Sequence, residues 1–494
     1  MSVESSVAAF LARKHGLLIN GEWRTPVSGQ YSNVYNPADG TVVAQVAEGN
    51  AADADLAIAA AHAAHVDGRW RNLTPVMRER ILLKYADLVE QHADELAQME
   101  TIEQGKSILI ARHVEVGGSI DFMRYAAGLT TKLVGSSFES SIPTPPGKRA
   151  TAFTRREPVG VVAAIAPWNF PLSIALWKIM PALAAGNTLV LKPAEITPLT
   201  ALRLGELALE AGVPPGVFNV ITGKGSVAGT AMTSSKLVGK ITFTGSTPVG
   251  KIIGRAAIEN MTRVSLELGG KNPSIVLKDA DIDLTVDGLL LGAFFNNGQV
   301  CAACSRAYIE APIYDKIVAA LEAAVKGMSV GPGMDPSAQV NPVVSKMQQN
   351  SVRDFLSDAM DKKAELIQGA DGPNPNGYYV RPTLVINPNA DIKLVREEVF
   401  GPVLALARVA DAEEAIRLAN DTDMGLAASL FTQDLSATMN LIPRIEAGTV
   451  WVNTHVPLDP AMPFGGYKQS GTGRDFGPRW LESFTEEKSV CIVY

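Results

Sequence analysis

Cysteine is scarce in this 494-residue chain. Its three cysteines cannot build a disulfide framework and fit a reducing compartment. Positive charge is in deficit as well. There are 44 Lys and Arg against 51 Asp and Glu, a formal net charge of −7, which argues against nucleic-acid or membrane binding as the main job, since both need concentrated positive charge. The charged runs "TRREP" and "REEV" are short and read as solvated faces. The opening "MSVESSVAAFLARKHG" carries an acid at Glu4 and has no long apolar core, which argues against a signal peptide. One uncharged run, residues 158–177, raises the question of a membrane span. Pro158, Pro167 and Pro171 break it, and Asn169 would be an unpaired amide in lipid. It reads instead as a buried strand, a turn and the start of a buried helix. What remains is a cytoplasmic globular protein, long enough for about three domains.

Turn residues and periodicity organise the chain. "LLINGEW" and "YSNVYNPADGTVVAQVAEG" read as short strands with Asn-Gly and Asp-Gly turns. Thr74-Pro75 is a candidate N-cap and first helical position, followed by Ile81, Tyr85, Leu88, Val89 and Leu96 at near-helical spacing. From 158 the pattern alternates. The strands "VGVVAAIA", "TLVLK", "VFNVIT" and "KITFT" are each followed by a helix, expected near 171–185, 198–211, 225–234 and 247–259. Such alternation predicts a parallel sheet covered on both faces, with ligands bound beyond the carboxyl ends of the strands. A second alternating region, read as a second α/β domain, is expected from "VSLEL" at 264–268 through "SIVL" to "GTVWVN" at 448–453. The polar, Pro-rich stretch 136–160 reads as a linker or a protruding hairpin. The tail "KSVCIVY" is β-prone, able to pair with that hairpin or with another subunit.

Several short motifs carry chemistry, each beside a plainer reading. "GKGSVAG" places Gly223, Gly225 and Gly229 after a strand, one residue off the dinucleotide fingerprint. "GSTPVGK" nearly fits a P-loop, but Ile252 stands where Ser or Thr must hold magnesium, which excludes ATP. Its helix N-terminus can still hold a phosphate, or the glycines serve packing alone. Lys192 and Glu195 in "LVLKPAE" follow a strand end. An acid there can take both ribose hydroxyls and repel a 2′-phosphate, or the pair is simply surface. "FFNNGQVCAACSR" holds a C-x-x-C, Cys301 and Cys304. It lacks the second Cys or His pair a zinc site needs, so no metal is expected. A cysteine of lowered pKa is a good nucleophile at neutral pH. Asn169 in "PWNF" can donate to an oxyanion, and Glu267 in "LELGG" can serve as a general base if burial raises its pKa. A turn Asn and a strand-end Glu are the plainer alternatives.

Seven ordered segments then give a specific resemblance across essentially the whole chain. They are "PWNFP" at 167–171, "KPAE" at 192–195, "FTGSTPVG" at 243–250, "LELGGK" at 266–271, "NGQVCAA" at 297–303, "EEVFGPV" at 397–403 and "PFGGYKQSGTGR" at 463–474. Together they resemble the aldehyde dehydrogenase superfamily. The resemblance implies an α/β fold with a Rossmann-type cofactor domain (1–135 and 158–266), an α/β catalytic domain (267–469) and a small β oligomerisation element (136–157 and 470–494). It implies Cys301 as nucleophile, Glu267 as base and Asn169 as oxyanion donor. NAD is the implied cofactor, with contacts from Ile165, Trp168, Lys192, Glu195, Gly225, Phe243, Gly245, Ser246, Val249, Leu268, Glu398 and Phe400. Phe170, Trp177, Phe295 and Phe464 are implied to line a substrate tunnel.

Within the family, "DFMRYAAGLTTKL", "VGPGMDPSAQVNPVVS" and "GGYKQSGTGRDFGPRW" are similar to the branch that oxidises phenylacetaldehyde in aromatic catabolism, such as styrene breakdown. Phenylacetaldehyde is therefore the expected substrate. Other aromatic or medium-chain aldehydes and betaine aldehyde are the alternatives, and a cysteine acyltransferase or esterase is the alternative from another class. A homotetramer or dimer is expected, without nucleic acid or membrane partners. Cys304 matches no catalytic position in the family. It is expected to pack as a small residue, the alternative being reversible oxidation onto Cys301.

Overall fold

A computed structural model describes residues 3–494. Its first sheet has eight strands in the order Gly471–Thr472, Arg263–Glu267, Val238–Thr244, Val161–Ile165, Thr188–Lys192, Phe218–Val220, Leu17–Ile19 and Glu22–Arg24. The run from Arg263–Glu267 to Phe218–Val220 is parallel throughout. These strands are apolar on both faces because helices cover both faces, and every residue of Val161–Ile165 and Thr188–Lys192 is buried. From Val161–Ile165 the chain builds outward on one side, then returns to lay Val238–Thr244 on the other. That reversal makes a topological switch point between the carboxyl ends of these two strands, where open α/β sheets bind ligands.

The intervening helices are Pro171–Ala184, Leu199–Ala211 and Thr247–Glu259. The 225–234 segment is a π-helical turn, Gly225–Gly229, running into the helix Thr230–Ser234. The uncharged run 158–177 becomes strand, turn and the buried helix from Pro171. No helix among the described residues is long and apolar enough to cross a membrane.

The second sheet has seven strands, ordered Glu365–Gln368, Thr383–Ile386, Val403–Val409, Cys304–Glu310, Asn272–Val276, Ala427–Phe431 and Thr449–Val452. All of its pairings are parallel except the one at the Glu365–Gln368 edge. The expectation that "VSLEL" opens this region is corrected. Arg263–Glu267 pairs along its full length with Val238–Thr244 and closes the first sheet instead. Its far side is covered only by the two-residue strand Gly471–Thr472, so half of it stays partly exposed, unlike the buried strands that follow.

Turn chemistry explains the small sheets. Asn20 and Gly21 both have positive φ, +56° and +78°, as a two-residue hairpin requires. Tyr31–Tyr35 pairs antiparallel with Val42–Ala47. Thr74 accepts from the Met77 N–H and caps the helix Pro75–Gln91. The 136–160 stretch forms a hairpin of Ser137–Glu139 and Ala150–Pro158, and the tail Thr485–Val493 pairs with it over nine residues.

Candidate active site

Two cavities approach each other between the sheets. One, of about 260 Å³, lies at the switch point and is lined by Trp168, Asn169, Gly245, Ser246, Glu267, Leu268, Cys301, Glu398 and Phe400, with Pro167, Thr244, Gly269 and Gln348. The other, of about 460 Å³, is a mainly apolar tunnel whose walls include Phe170, Trp177, Phe295 and Phe464. Among the described residues, Cys301 is the one side chain lining both.

Local sequence explains how Cys301 reaches this junction. The helix Ile282–Phe294 ends in Asn296, Asn297 and Gly298, all left-handed at φ +47°, +57° and +70°. Asn tolerates this region and Gly is free in it. A Cβ on Gly298 would overlap the Gly401 carbonyl, so glycine is also required for contact. Asn272 Nδ2 donates to the carbonyls of Cys301 (2.8 Å) and Ala303 (3.0 Å), which pins the loop to the second sheet.

The "LELGG" motif has a steric reading. A Cβ on Gly269 would overlap the Glu398 carboxylate, and one on Gly270 would come within 2.7 Å of the Cys301 carbonyl. Gly270 N–H instead donates to Glu398 Oε1 at 3.2 Å. Likewise, a Cβ on Gly465 of "PFGGYK" would sit 2.8 Å from Glu267 Oε1. These glycines make room for two carboxylates beside the cysteine.

The electrostatics follow from burial. The Cys301 thiol is pushed up to about 12, first by burial and then by the Glu398 and Glu267 carboxylates; N–H groups of Ala302 and of Cys301 itself pull partly the other way. Burial, reinforced by Asp475, lifts Glu267 well above the usual carboxyl range, against Lys178 and Arg474. Both Glu267 oxygens are buried without a hydrogen-bond partner. Burial raises Glu398 to about 7, opposed by the Gly270 N–H and by Lys271. Asn169 gives one amide hydrogen to the Gln299 carbonyl at 3.0 Å and keeps a second.

Cys304 lies elsewhere. It is 1 % exposed, opens the strand Cys304–Glu310, and its Sγ is 2.9 Å from Ser274 Oγ. Ser274 bonds Ser429 (2.6 Å), Ser429 bonds His455 Nδ1 (2.9 Å), and His455 Nε2 meets the Ala302 carbonyl at 2.7 Å. A carbonyl only accepts, so Nε2 carries the proton. Burial lowers the His455 pKa to about 4, which keeps the ring neutral. Cys304 is thus tied into a dry polar chain and lines neither of these two cavities.

Ile165, Lys192, Glu195, Gly225, Phe243 and Val249, also expected at the cofactor, line neither cavity. Ile165 and Lys192 end adjacent strands of the first sheet. Lys192 Nζ donates to the Pro193 carbonyl at 3.0 Å, and burial lowers its pKa to about 8. Exposed Glu195 accepts from Gly225 N–H at 2.6 Å. Phe243 is buried under Gly245, whose missing Cβ leaves space for the ring. Ser246 is the N-cap of Thr247–Glu259 but makes no side-chain cap bond, and Val249 is exposed on the first turn. That helix start offers main-chain donors to an anion. Among the described residues, no cluster of His, Cys, Asp or Glu could hold a metal.

Sequence reading missed several neighbours. Phe122, Ile174, Leu291 and Leu458 also line the tunnel. Phe122 packs on Trp177 at 5.6 Å between centroids, and both pack on Phe476. Gln348 donates to the Phe400 carbonyl at 2.9 Å, steadying a residue at φ +53°. Helical spacing could have flagged Phe122 as inward-facing, but not what it faces. Nothing local marks Gln348.

The model of the aldehyde dehydrogenase family matches residues 23–490. The chain is 46 % identical to phenylacetaldehyde dehydrogenase of Pseudomonas fluorescens, covering 100 % of this chain and 99 % of that one. It is 42 % identical to human retinal dehydrogenase 2, over 96 % of this chain and 91 % of the relative. A solved NAD+ complex of a Bacillus cereus aldehyde dehydrogenase superposes with a TM-score of 0.96 at 39 % identity, over 100 % and 99 % of the two chains. Betaine aldehyde dehydrogenase from Staphylococcus aureus follows at 0.93 and 37 %, over 99 % and 96 %. A family match that spans residues 23–490 shows that this chain belongs to the aldehyde dehydrogenase family.

Proposed function

We propose that the chain oxidises an aldehyde to its acid with NAD, and that its substrate is phenylacetaldehyde. The observation that carries the chemistry is Cys301 at the meeting point of the two cavities. The cleft residues fit a dinucleotide. Glu195 offers a carboxylate to a ribose, the uncapped start of Thr247–Glu259 suits a pyrophosphate, and Glu398 stands at the inner end beside Cys301. NAD, when bound, supplies the acceptor for the hydride leaving the substrate carbon.

The protein's own groups do the rest. Cys301 Sγ attacks the aldehyde carbon. Burial and two carboxylates disfavour a free thiolate, so the thiol proton is lost to water in the cleft as the C–S bond forms. The Asn169 amide and the Cys301 N–H hold the oxyanion, a donor of this kind contributing roughly 3–4 kcal/mol. The thioester left after oxidation is hydrolysed by water that Glu267 deprotonates. Its two unpartnered oxygens suit it to receive that proton.

The tunnel favours a neutral aryl substrate. Its volume suits a small ligand, and its rings include the stacked pair Phe170 and Phe295 at 5.8 Å. The one carboxylate on its wall, Glu115, is already paired with Lys106, so a cationic aldehyde meets no free anion. With purified protein and NAD, phenylacetaldehyde should show a higher kcat/KM than benzaldehyde, hexanal or betaine aldehyde; betaine aldehyde or hexanal ranking first would overturn the substrate assignment. The resemblance to phenylacetaldehyde dehydrogenase supports a place in aromatic catabolism such as styrene breakdown.

Glu195 should also set cofactor choice. Glu195→Gln keeps an acceptor for ribose but removes the charge facing a 2′-phosphate. The NADP-to-NAD ratio of kcat/KM should rise by about tenfold, equivalent to ~1.4 kcal/mol; an unchanged ratio would show that selectivity lies elsewhere.

Residues 1–135 with 158–266 form the NAD-binding unit in this reading, 267–469 the catalytic unit, and 136–157 with 470–494 the oligomerisation element. The three-stranded sheet leaves Phe138, Ile492 and Val493 about half exposed, which supports burial in a homotetramer or dimer. The three free thiols support a cytoplasmic location.

A further inference from the structure

Behind Asn169 lies a buried charge that the proposed chemistry leaves unused. The side chains of Lys106, Glu100 and Glu115 have no exposed surface. Lys106 Nζ pairs with Glu115 and lies 3.2 Å from Glu100 Oε1. It also donates to the main-chain oxygen of Asn169 at 2.8 Å and stands 4.3 Å from the centroid of the Phe170 ring. Asn296 Nδ2 donates to the same Asn169 oxygen at 2.9 Å and to the Gln299 carbonyl at 3.4 Å.

Glu115 extends the clamp along the chain. Its Oε1 accepts from the N–H groups of Leu172 and Ser173, both at 3.2 Å, in the first turn of Pro171–Ala184. Residues 169–173 are therefore held at one end by the ammonium and at the other by its counter-ion. Glu115 comes from a π-helical stretch, Ile110–Val116, a form that recurs at functional sites. The third acid of the group, Glu103, is engaged elsewhere, accepting from Leu199 and Thr200 at the next helix start. Burial, then Glu115, raises Glu100 well above the usual carboxyl range, with Lys106 pulling the other way.

Removing an ammonium from water is costly, and an apolar side chain of similar volume fills space at lower cost. Packing alone does not account for Lys106. What an apolar side chain cannot supply is a charged donor to the carbonyl of the residue that carries the oxyanion amide.

We propose that Lys106 and Asn296 are positioning residues for the oxyanion site: both donating to the Asn169 carbonyl, they fix the direction of the Asn169 amide. The proposal rests on Asn169 being the oxyanion donor. A side chain that has given one hydrogen to Gln299 can aim the other only while its own backbone is fixed.

A double-mutant cycle with Asn169→Ala tests this, reading the rate of aldehyde-dependent NADH formation in a single turnover and NAD affinity by fluorescence. Lys106→Met should slow the reaction about 10- to 100-fold in the Asn169 protein, the scale of a small misplacement. In the Asn169→Ala protein it should cost less than about twofold, because the group it positions is gone. NAD affinity should not change. Equal losses in both backgrounds, or no loss in either, overturn the proposal. A merely structural lysine would lower the melting temperature and leave the cycle additive. If Lys106→Met does not fold, Asn296→Gly gives the same cycle. It removes the second donor, buries no unpaired charge and keeps the left-handed backbone at φ +47°. If Asn169→Ala by itself costs nothing, the oxyanion reading fails, a result distinct from an additive cycle.

Discussion

Cys301→Ala should abolish aldehyde-dependent NADH formation, a loss of at least roughly 10⁴-fold in kcat, because among the described residues Cys301 is the one side chain lining both cavities. Cys304→Ala should retain most of the activity. Its sulfur is buried in the Ser274–Ser429–His455 chain, and losing it removes a weak acceptor rather than a reacting group. The paired measurement is steady-state turnover on both variants with melting temperatures alongside. A dead Cys304→Ala with a live Cys301→Ala would reverse the assignment. NAD binding should survive in Cys301→Ala, since the groups proposed to hold it, Glu195 and the Thr247–Glu259 helix start, are untouched.

Glu267→Gln should uncouple the two halves of the reaction. Steady turnover should fall by roughly 10²- to 10⁴-fold, the usual contribution of a general base. A first burst of NADH should remain, because attack by Cys301 and loss of the hydride do not need the Glu267 carboxylate. The amide matches the carboxylate in size and keeps the contact that Gly465 makes room for. The pH profile adds a sign. Burial, then Asp475, raises the Glu267 pKa, so the neutral acid dominates below that raised value and the base above it. Deacylation in the native enzyme should therefore accelerate as pH rises through that value, and this limb should vanish in Glu267→Gln. Normal turnover in the variant would mean that another base serves.

The parts of the site that were legible in the sequence are those that local chemistry dictates. Three consecutive left-handed residues need an Asn-Asn-Gly type of sequence, and the paired glycines of "LELGG" admit Glu398 and the Cys301 carbonyl. Such requirements write motifs, and Cys301, Glu267, Asn169, Glu398 and Phe400 line the cleft where the motifs put them. All four expected tunnel rings line the tunnel. What stayed illegible depends on contacts distant in sequence. Lys106 meets Asn169 across 63 positions, and "EQGKS" has no local feature that marks a buried lysine. Phe476 meets Phe122 and Trp177 only through the fold. For a related reason, the alternation alone places "VSLEL" in the second region, although the implied cofactor-domain bounds of 158–266 take in most of Arg263–Glu267. A strand's own residues specify that it is a strand, while its sheet is chosen by the neighbours that accept its hydrogen bonds.

The relation between Cys301 and Cys304 also resolves through packing rather than spacing. A C-x-x-C invites a redox reading, yet the strand Cys304–Glu310 begins at its second cysteine and buries it against the second sheet. Cys301 stays in the loop before that strand, facing the cavities. Three positions, from the loop to the strand's first residue, thus separate a reacting thiol from a packed one.

The covalent claim is tested most directly by intact-protein and peptide mass spectrometry on Glu267→Gln after mixing with NAD and excess phenylacetaldehyde. The expected result is a mass increase of one phenylacetyl group per subunit, located on the peptide bearing Cys301 and released by hydroxylamine. Absence of the adduct despite an NADH burst, or its appearance on Cys304 or Cys491, would contradict a Cys301 thioester.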